Sequence, residues 1–122
     1  MEYAVVDVET TGLTAWEDRV LEIGIITADE TGTPTETWST LINPRRPVTA
    51  TFIHGITDAD VKNAPRFSQA LPEIVQRLSG RIIVGHNVAF DLAFINAEFR
   101  RSLYPIVIPR EAAVCTMDQS RI

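Results

Sequence analysis

Residues 5–12, Val5-Val6-Asp7-Val8-Glu9-Thr10-Thr11-Gly12, read as the opening strand of a buried sheet, yet they carry two acids. Burying a carboxylate is costly unless it is paired, hydrogen-bonded or bound to a metal. Asp7 and Glu9 stand at i and i+2, so they leave a strand from the same face. Together they make a two-pronged oxygen ligand for a hard cation, and carboxylates suit Mg²⁺ or Mn²⁺. Thr10, Thr11 and Gly12 then end the strand with hydroxyls and a glycine that lets the backbone turn closely past a ligand. The same string also fits a strand with a solvated face, because Val6 and Val8 serve either reading.

The residues that follow place this strand in a sheet. Arg19 to Thr27 read as a second strand, apolar on both faces and therefore central, with Glu22 as a buried carboxylate that has a local partner or acts as a third functional acid. A breaker-rich turn from Asp29 to Pro34 reverses the chain into a third strand over Glu36–Ile42, and the three make an antiparallel meander. Residues 48–66 are loop-rich with one or two helical turns, among them a capped turn over Thr57–Val61; a loop of that length is more often functional than idle. Phe67, Leu71, Ile74, Val75 and Leu78 keep helical spacing until Gly80. The β-branched run Arg81–Gly85 is a buried fourth strand, Val88 to about Arg101 is a second helix, and Ala113–Met117 is a weak fifth strand. The order β-β-β-α-β-α-β predicts an α/β fold, a mixed five-stranded sheet flanked by helices with the first strand central.

Composition narrows the class. The 122 residues form a single domain, 1–122, with 45% hydrophobic and 22% charged residues, close to soluble globular averages. No apolar run approaches the roughly 18 residues of a spanning helix, so no membrane partner is expected. Met1-Glu2-Tyr3 opens without a basic leader, and the single Cys115 fits a reducing cytoplasm. A net charge of −5 argues against extended duplex binding, so any nucleic acid would be held locally, through metals and a few side chains.

A second constellation, Gly85-His86-Asn87-Val88-Ala89-Phe90-Asp91, spans the junction of the fourth strand and the following helix. Asn87 is a good helix cap, and Asp91 falls near the helix start, where negative charge is favoured by the macrodipole alone. If the fourth strand pairs beside the first, Asp91 projects toward Asp7 and Glu9. Three carboxylates in one place repel one another without cations. Two divalent ions about 4 Å apart, stabilising attacking and leaving oxygens in phosphoryl hydrolysis, are the usual reason to gather such acids.

Residues 5–13, VVDVETTGL, resemble the first motif of the DEDD-family 3′-to-5′ exonucleases, in particular the proofreading epsilon-subunit branch of DNA polymerase III. Residues 85–95, GHNVAFDLAFI, resemble that family's second motif, and IHGIT at 53–57 resembles a loop between them. The resemblance implies a ribonuclease-H-like fold. It makes Asp7, Glu9 and Asp91 the catalytic metal ligands and Mg²⁺ or Mn²⁺, as two divalent ions, the cofactor. It also implies that Thr10, Thr11, Gly12, His54, Asn87 and Phe90 contact the substrate, although Phe90 falls near the apolar stripe and fits core packing as well. The implied substrate is a single-stranded or frayed DNA 3′ end, and a DNA polymerase subunit is an implied partner.

Family members also carry a third motif, a histidine followed five residues later by an aspartate, or a tyrosine variant. Neither is found here. His54 and Asp58 are four apart and lie in the earlier loop, and Asp118 reads as a surface or capping residue. The chain is therefore expected to be a C-terminally truncated, incomplete catalytic fragment, weak or inactive alone, with exposed apolar surface that invites homodimerisation. An RNA-trimming relative and a non-cutting module that binds nucleic-acid ends or a polymerase are the alternatives.

Overall fold

Apolar alternation in the strands and three-to-four spacing in the helices give one sheet with two long helices packed on it. The computed structural model describes residues 1–48 and 51–116, with only the backbone described for Thr51 and Phe52. The elements are β1 (Tyr3–Thr10), β2 (Val20–Ala28), β3 (Pro34–Leu41), α1 (Thr51–His54), α2 (Asp58–Val61), α3 (Phe67–Leu78), β4 (Ile82–Gly85), α4 (Val88–Arg101) and β5 (Ala113–Cys115). The sheet order is β3-β2-β1-β4-β5, so the acid-bearing first strand is central as expected.

The β1-β2-β3 meander is antiparallel, whereas β4 joins β1 in parallel and β5 joins β4 in parallel. The long α3 and α4 connections make that parallel pairing possible. β1 runs to Thr10, with Glu9 paired to Glu22 before the register shifts to Thr10 and Val20. β5 covers Ala113–Cys115, while Met117 of the expected strand and Asp118 lie outside the described residues, as do Thr49 and Ala50 of the expected loop turn. The capped turn is present: Asp60 N–H donates to the Thr57 hydroxyl at 3.2 Å, and Thr57 N–H donates back to the Asp60 carboxylate at 2.9 Å.

Period two separates the two sheet faces. Ala4, Val6 and Val8 of β1, Ile23 and Ile25 of β2 and Ile83 of β4 are buried in one cluster with Phe67 and Ile74 of α3 and with Leu92, Ile95 and Phe99 of α4. The other face is more open, and Val5, Ile26 and Val114 on it are each 37% exposed. That openness corrects the expectation for Glu22. Its position pairs directly with Glu9, and the side chain is half-exposed on the open face instead of buried.

Candidate active site

β4 is short, and this shapes the site. It pairs with β1 only from Tyr3 to Val5, so beyond that point the same edge of β1 is free of strand partners. The first turn of α4 takes up that edge. Val8 N–H donates to Asp91 Oδ1 at 3.2 Å, which satisfies a backbone donor that the sheet leaves over. Gly85 permits the approach, because a Cβ there would stand 3.1 Å from Asp91 Oδ2 and from Val88 Cγ2.

Asp91 is only 5% exposed. Burial pushes its carboxyl up to about 6, the Val8 hydrogen bond opposes the shift, and the charges of Asp7 and Glu9 add to it. Glu9 is raised as well, first by burial and then by Asp7, with Glu22 adding and His54 opposing. Asp91 thus feels the charges of Asp7 and Glu9, and Glu9 that of Asp7. The three are not a closed ligand set: among the described residues, no group of three or more His, Cys, Asp or Glu side chains is gathered tightly enough to hold an ion.

An open cleft of about 600 Å³ is walled by Val8, Glu9, Thr10, Gly12, Leu13, Ile53, His54 and Phe90, so Glu9 lines it while Asp7 and Asp91 do not. His54 Nδ1 accepts from Ile56 N–H at 2.9 Å, so the neutral ring carries its proton on Nε2. Phe90 packs on Phe94 in a tilted pair with ring centres 4.9 Å apart and also forms part of the cleft wall. Thr10 lies in the wall, but its hydroxyl donates to Gly12 O at 2.6 Å and so closes the turn.

Thr11 and Asn87 stand apart from the cleft. Thr11 is buried, and its hydroxyl donates to Asp18 at 3.1 Å while accepting from Arg19 N–H at 3.0 Å. Asn87 does occupy the cap position of α4, but its side chain makes no capping hydrogen bond. With ψ at 71° the residue is bent away from extended cap geometry, and its carbonyl accepts from Phe90 and Asp91 N–H instead.

Sequence reasoning missed Leu13 and Ile53, which are 87% and 72% exposed at the cleft. It also missed a buried ion pair behind the site. Glu98, fully buried on α4, accepts from Arg19 Nε at 2.9 Å and from Val20 N–H at 3.0 Å, and pairs with Arg19 and Arg101. The available signal was a glutamate on the core-facing phase of α4, one position before Phe99.

Residues 4–121 match the RNase_T family model, described as exonuclease. DNA polymerase III subunit epsilon of Treponema pallidum is 44% identical over 94 residues, 75% of this chain and 43% of that protein. The PolC-type DNA polymerase III of Caldanaerobacter subterraneus is 33% identical over 102 residues, 82% of this chain but 7% of that one. The chain thus spans less than half of either relative. Among solved structures, apo exonuclease I superposes with a TM-score of 0.86 at 20% identity, covering 98% of this chain and 30% of that one. E. coli exonuclease I in complex with a dT13 oligonucleotide gives 0.76 at 22% identity, covering 84% and 24%. These likenesses identify the mixed sheet and its helices as the ribonuclease-H-like exonuclease fold. With the family model matching nearly the whole length, the chain belongs to the RNase_T exonuclease family.

Proposed function

We propose that this domain, residues 1–122, removes nucleotides one at a time from the 3′ end of single-stranded or frayed DNA, with Asp7, Glu9 and Asp91 as the ligands of two divalent ions, Mg²⁺ or Mn²⁺. The observation that carries this reading is Asp91: a carboxylate 5% exposed, held up to about 6, and faced by two more acids, of which Glu9 lines a cleft. A carboxylate so placed is stabilised by a cation, and an all-oxygen donor set matches hard divalent ions. The donor chemistry therefore fits the group, although the side chains must draw closer to enclose it. When bound, a divalent pair supplies electrostatic stabilisation of the attacking and leaving oxygens.

The remaining residues bind and orient. Leu13, Ile53 and Phe90 offer apolar surface to the terminal base, and base–aromatic stacking is sequence-tolerant. His54 can donate from Nε2 to an oxygen of the terminal nucleotide, while Thr10 and Gly12 bring backbone close to it. DNA as substrate is supported by relatives named as DNA polymerase III subunits and by the dT13 complex of the structural neighbour. The same relatives support a polymerase subunit as partner and a cytoplasmic setting. Among the described residues, no helix is long and apolar enough to cross a membrane.

The test is release of nucleotides from a 3′-labelled single-stranded oligonucleotide in Mg²⁺ and in Mn²⁺. Stepwise release that stops with chelator and with Asp7→Ala is the expected outcome. An Asp7→Ala chain that still digests DNA would sink the assignment.

A further inference from the structure

We propose that Glu98 is a positioning residue for the substrate cleft: acting through Arg19 and Arg101, it fixes the Gly12–Leu13 wall against the wall that α4 supplies. This rests on the exonuclease reading above. The two walls have different origins. Gly12 and Leu13 lie on the turn joining β1 to β2, whereas Phe90 lies in the first turn of α4. The β1–β2 ladder holds Asp7 against Gly24 and Glu9 against Glu22, then shifts register at Thr10 and Val20, so the turn between them lies outside it. What sets that turn relative to Phe90 is a group of bonds to α4.

Residues 8–20 are fastened to α4 at both ends and in the middle. At one end Val8 N–H donates to Asp91 Oδ1 at 3.2 Å, and at the other Val20 N–H donates to Glu98 Oε2 at 3.0 Å. In the middle Arg101 Nη2 donates to Ala15 O at 2.8 Å, while its Nη1 stands 3.4 Å from Glu98 Oε1. Glu98 also reaches the turn through Arg19. Arg19 Nε donates to both Glu98 oxygens, at 2.9 and 3.1 Å, and Nη2 stands 2.9 Å from Oε1. Such a forked contact fixes direction as well as distance. Arg19 N–H in turn donates to the Thr11 hydroxyl at 3.0 Å, and Thr11 N–H donates to Arg19 O at 2.9 Å, one residue from Gly12. Glu98 is 0% exposed, two turns along α4 from Asp91, so it acts without touching substrate. A side chain locked in this way can hold its neighbours within the roughly 0.5 Å that a productive site needs. Asp7, Glu9 and Asp91 are placed by the ladder and by the Val8 bond, so Glu98 governs nucleotide binding and not ion binding.

The experiment measures binding of Mn²⁺ alone, then of thymidine 5′-monophosphate in saturating Mn²⁺, by calorimetry at a temperature where urea melts show each variant folded. Glu98→Gln keeps an oxygen for Val20 N–H but loses the charged fork. It should weaken nucleotide binding about tenfold, within what misplacement in a site costs, and leave Mn²⁺ affinity unchanged. Arg101→Ala cuts the tie to Ala15 O at a partly exposed position and keeps the Arg19–Glu98 pair, so it decides the question if Glu98→Gln fails to fold. About threefold weaker nucleotide binding is expected of it. Ile74→Val, buried in α3 and outside both walls, lowers stability alone and should bind the nucleotide like the wild type. Nucleotide affinity unchanged in Arg101→Ala and in folded Glu98→Gln overturns the positioning role. So does equal weakening by Ile74→Val, or a Mn²⁺ affinity that falls in step with the nucleotide's. A wild-type chain that does not bind the nucleotide in Mn²⁺ overturns the exonuclease reading, and the positioning role with it.

Discussion

Two regions of α4 bury a carboxylate, and they treat it in opposite ways. Near the helix start, Asp91 is met by backbone N–H groups alone, chiefly that of Val8, and faces the like charges of Asp7 and Glu9. Two turns on, Glu98 is fully buried but meets Arg19, Arg101 and Val20 N–H, so its charge is compensated. Both lie on the sheet-facing side, in the same solvent-poor layer. The difference teaches how a candidate site is told from a scaffold: a buried acid that the fold satisfies holds elements together, and one that the fold leaves in repulsion is where the proposed cations would be stabilising.

The strongest way to break that comparison is to remove Glu98. Glu98→Ala strands Arg19 and Arg101 and the Val20 amide at the junction of α4 with the β1–β2 turn. Breaking a buried pair by removing one partner costs about 3–5 kcal/mol, and Arg19, 20% exposed at its side chain, sets the lower end of that range here. Urea denaturation should show the loss. A variant as stable as the parent would mean that the pair is structurally idle and the contrast with Asp91 empty.

Asp91→Asn should do the reverse. The amide oxygen can still accept from Val8 N–H, while the repelled charge is gone. Because the folded-state value is raised, the native state holds its proton more tightly than the unfolded chain does, so stability falls as pH rises from about 4 through about 6. Over the interval from 3.8 to about 6, at 1.36 kcal/mol per pH unit, the wild type loses at most about 3 kcal/mol. In chelator, then, Asp91→Asn should be more stable than wild type at pH 7.5 and equal to it at pH 4. Adding Mn²⁺ at pH 7.5 should raise the wild-type melting temperature and leave the variant's unchanged. A wild type whose stability rises between pH 4 and 6 would show that Asp91 is compensated after all.

Which of these features could be read from residues alone follows from the length scale of the interaction. Period two put Asp7 and Glu9 on one face, and three-to-four spacing marked α4 from Val88 to Arg101; both are local and both appear in the fold. The central place of β1 followed from the connections, since helices must intervene for β4 to run parallel to it. Arg19 and Glu98 are separated by 79 positions, and no local pattern couples them. Glu22 was misplaced because apolar residues on both sides of a strand do not reveal which face the helices leave open. Leu13 and Ile53 look like any apolar loop residues until the β1 turn and α1 are seen to line the same cleft. Asn87 had the right residue type for a cap, but a tight strand-to-helix junction took its backbone out of capping geometry.

The far end of α4 gives the smallest test, free of both carboxylates. Leu103, 90% exposed, is at φ 61° just beyond the helix, where glycine is usual. Its N–H donates to Arg100 O at 3.1 Å and Tyr104 N–H donates to Phe99 O at 2.9 Å, the paired bonds of a Schellman cap. A side chain in left-handed backbone costs roughly 1–2 kcal/mol, while glycine gives back about 0.4–1 kcal/mol through a freer unfolded chain. Leu103→Gly should therefore gain roughly 0.5 kcal/mol in thermal or urea unfolding. Leu103→Ala should gain nothing, because alanine keeps the same Cβ penalty. The Gly gain should be the same at pH 4 and pH 7.5 and the same with or without Mn²⁺, since no titrating group is involved. A gain that varied with pH or metal would mean that the two ends of α4 are coupled, and that the charge at Asp91 strains the helix as a whole and not its first turn alone.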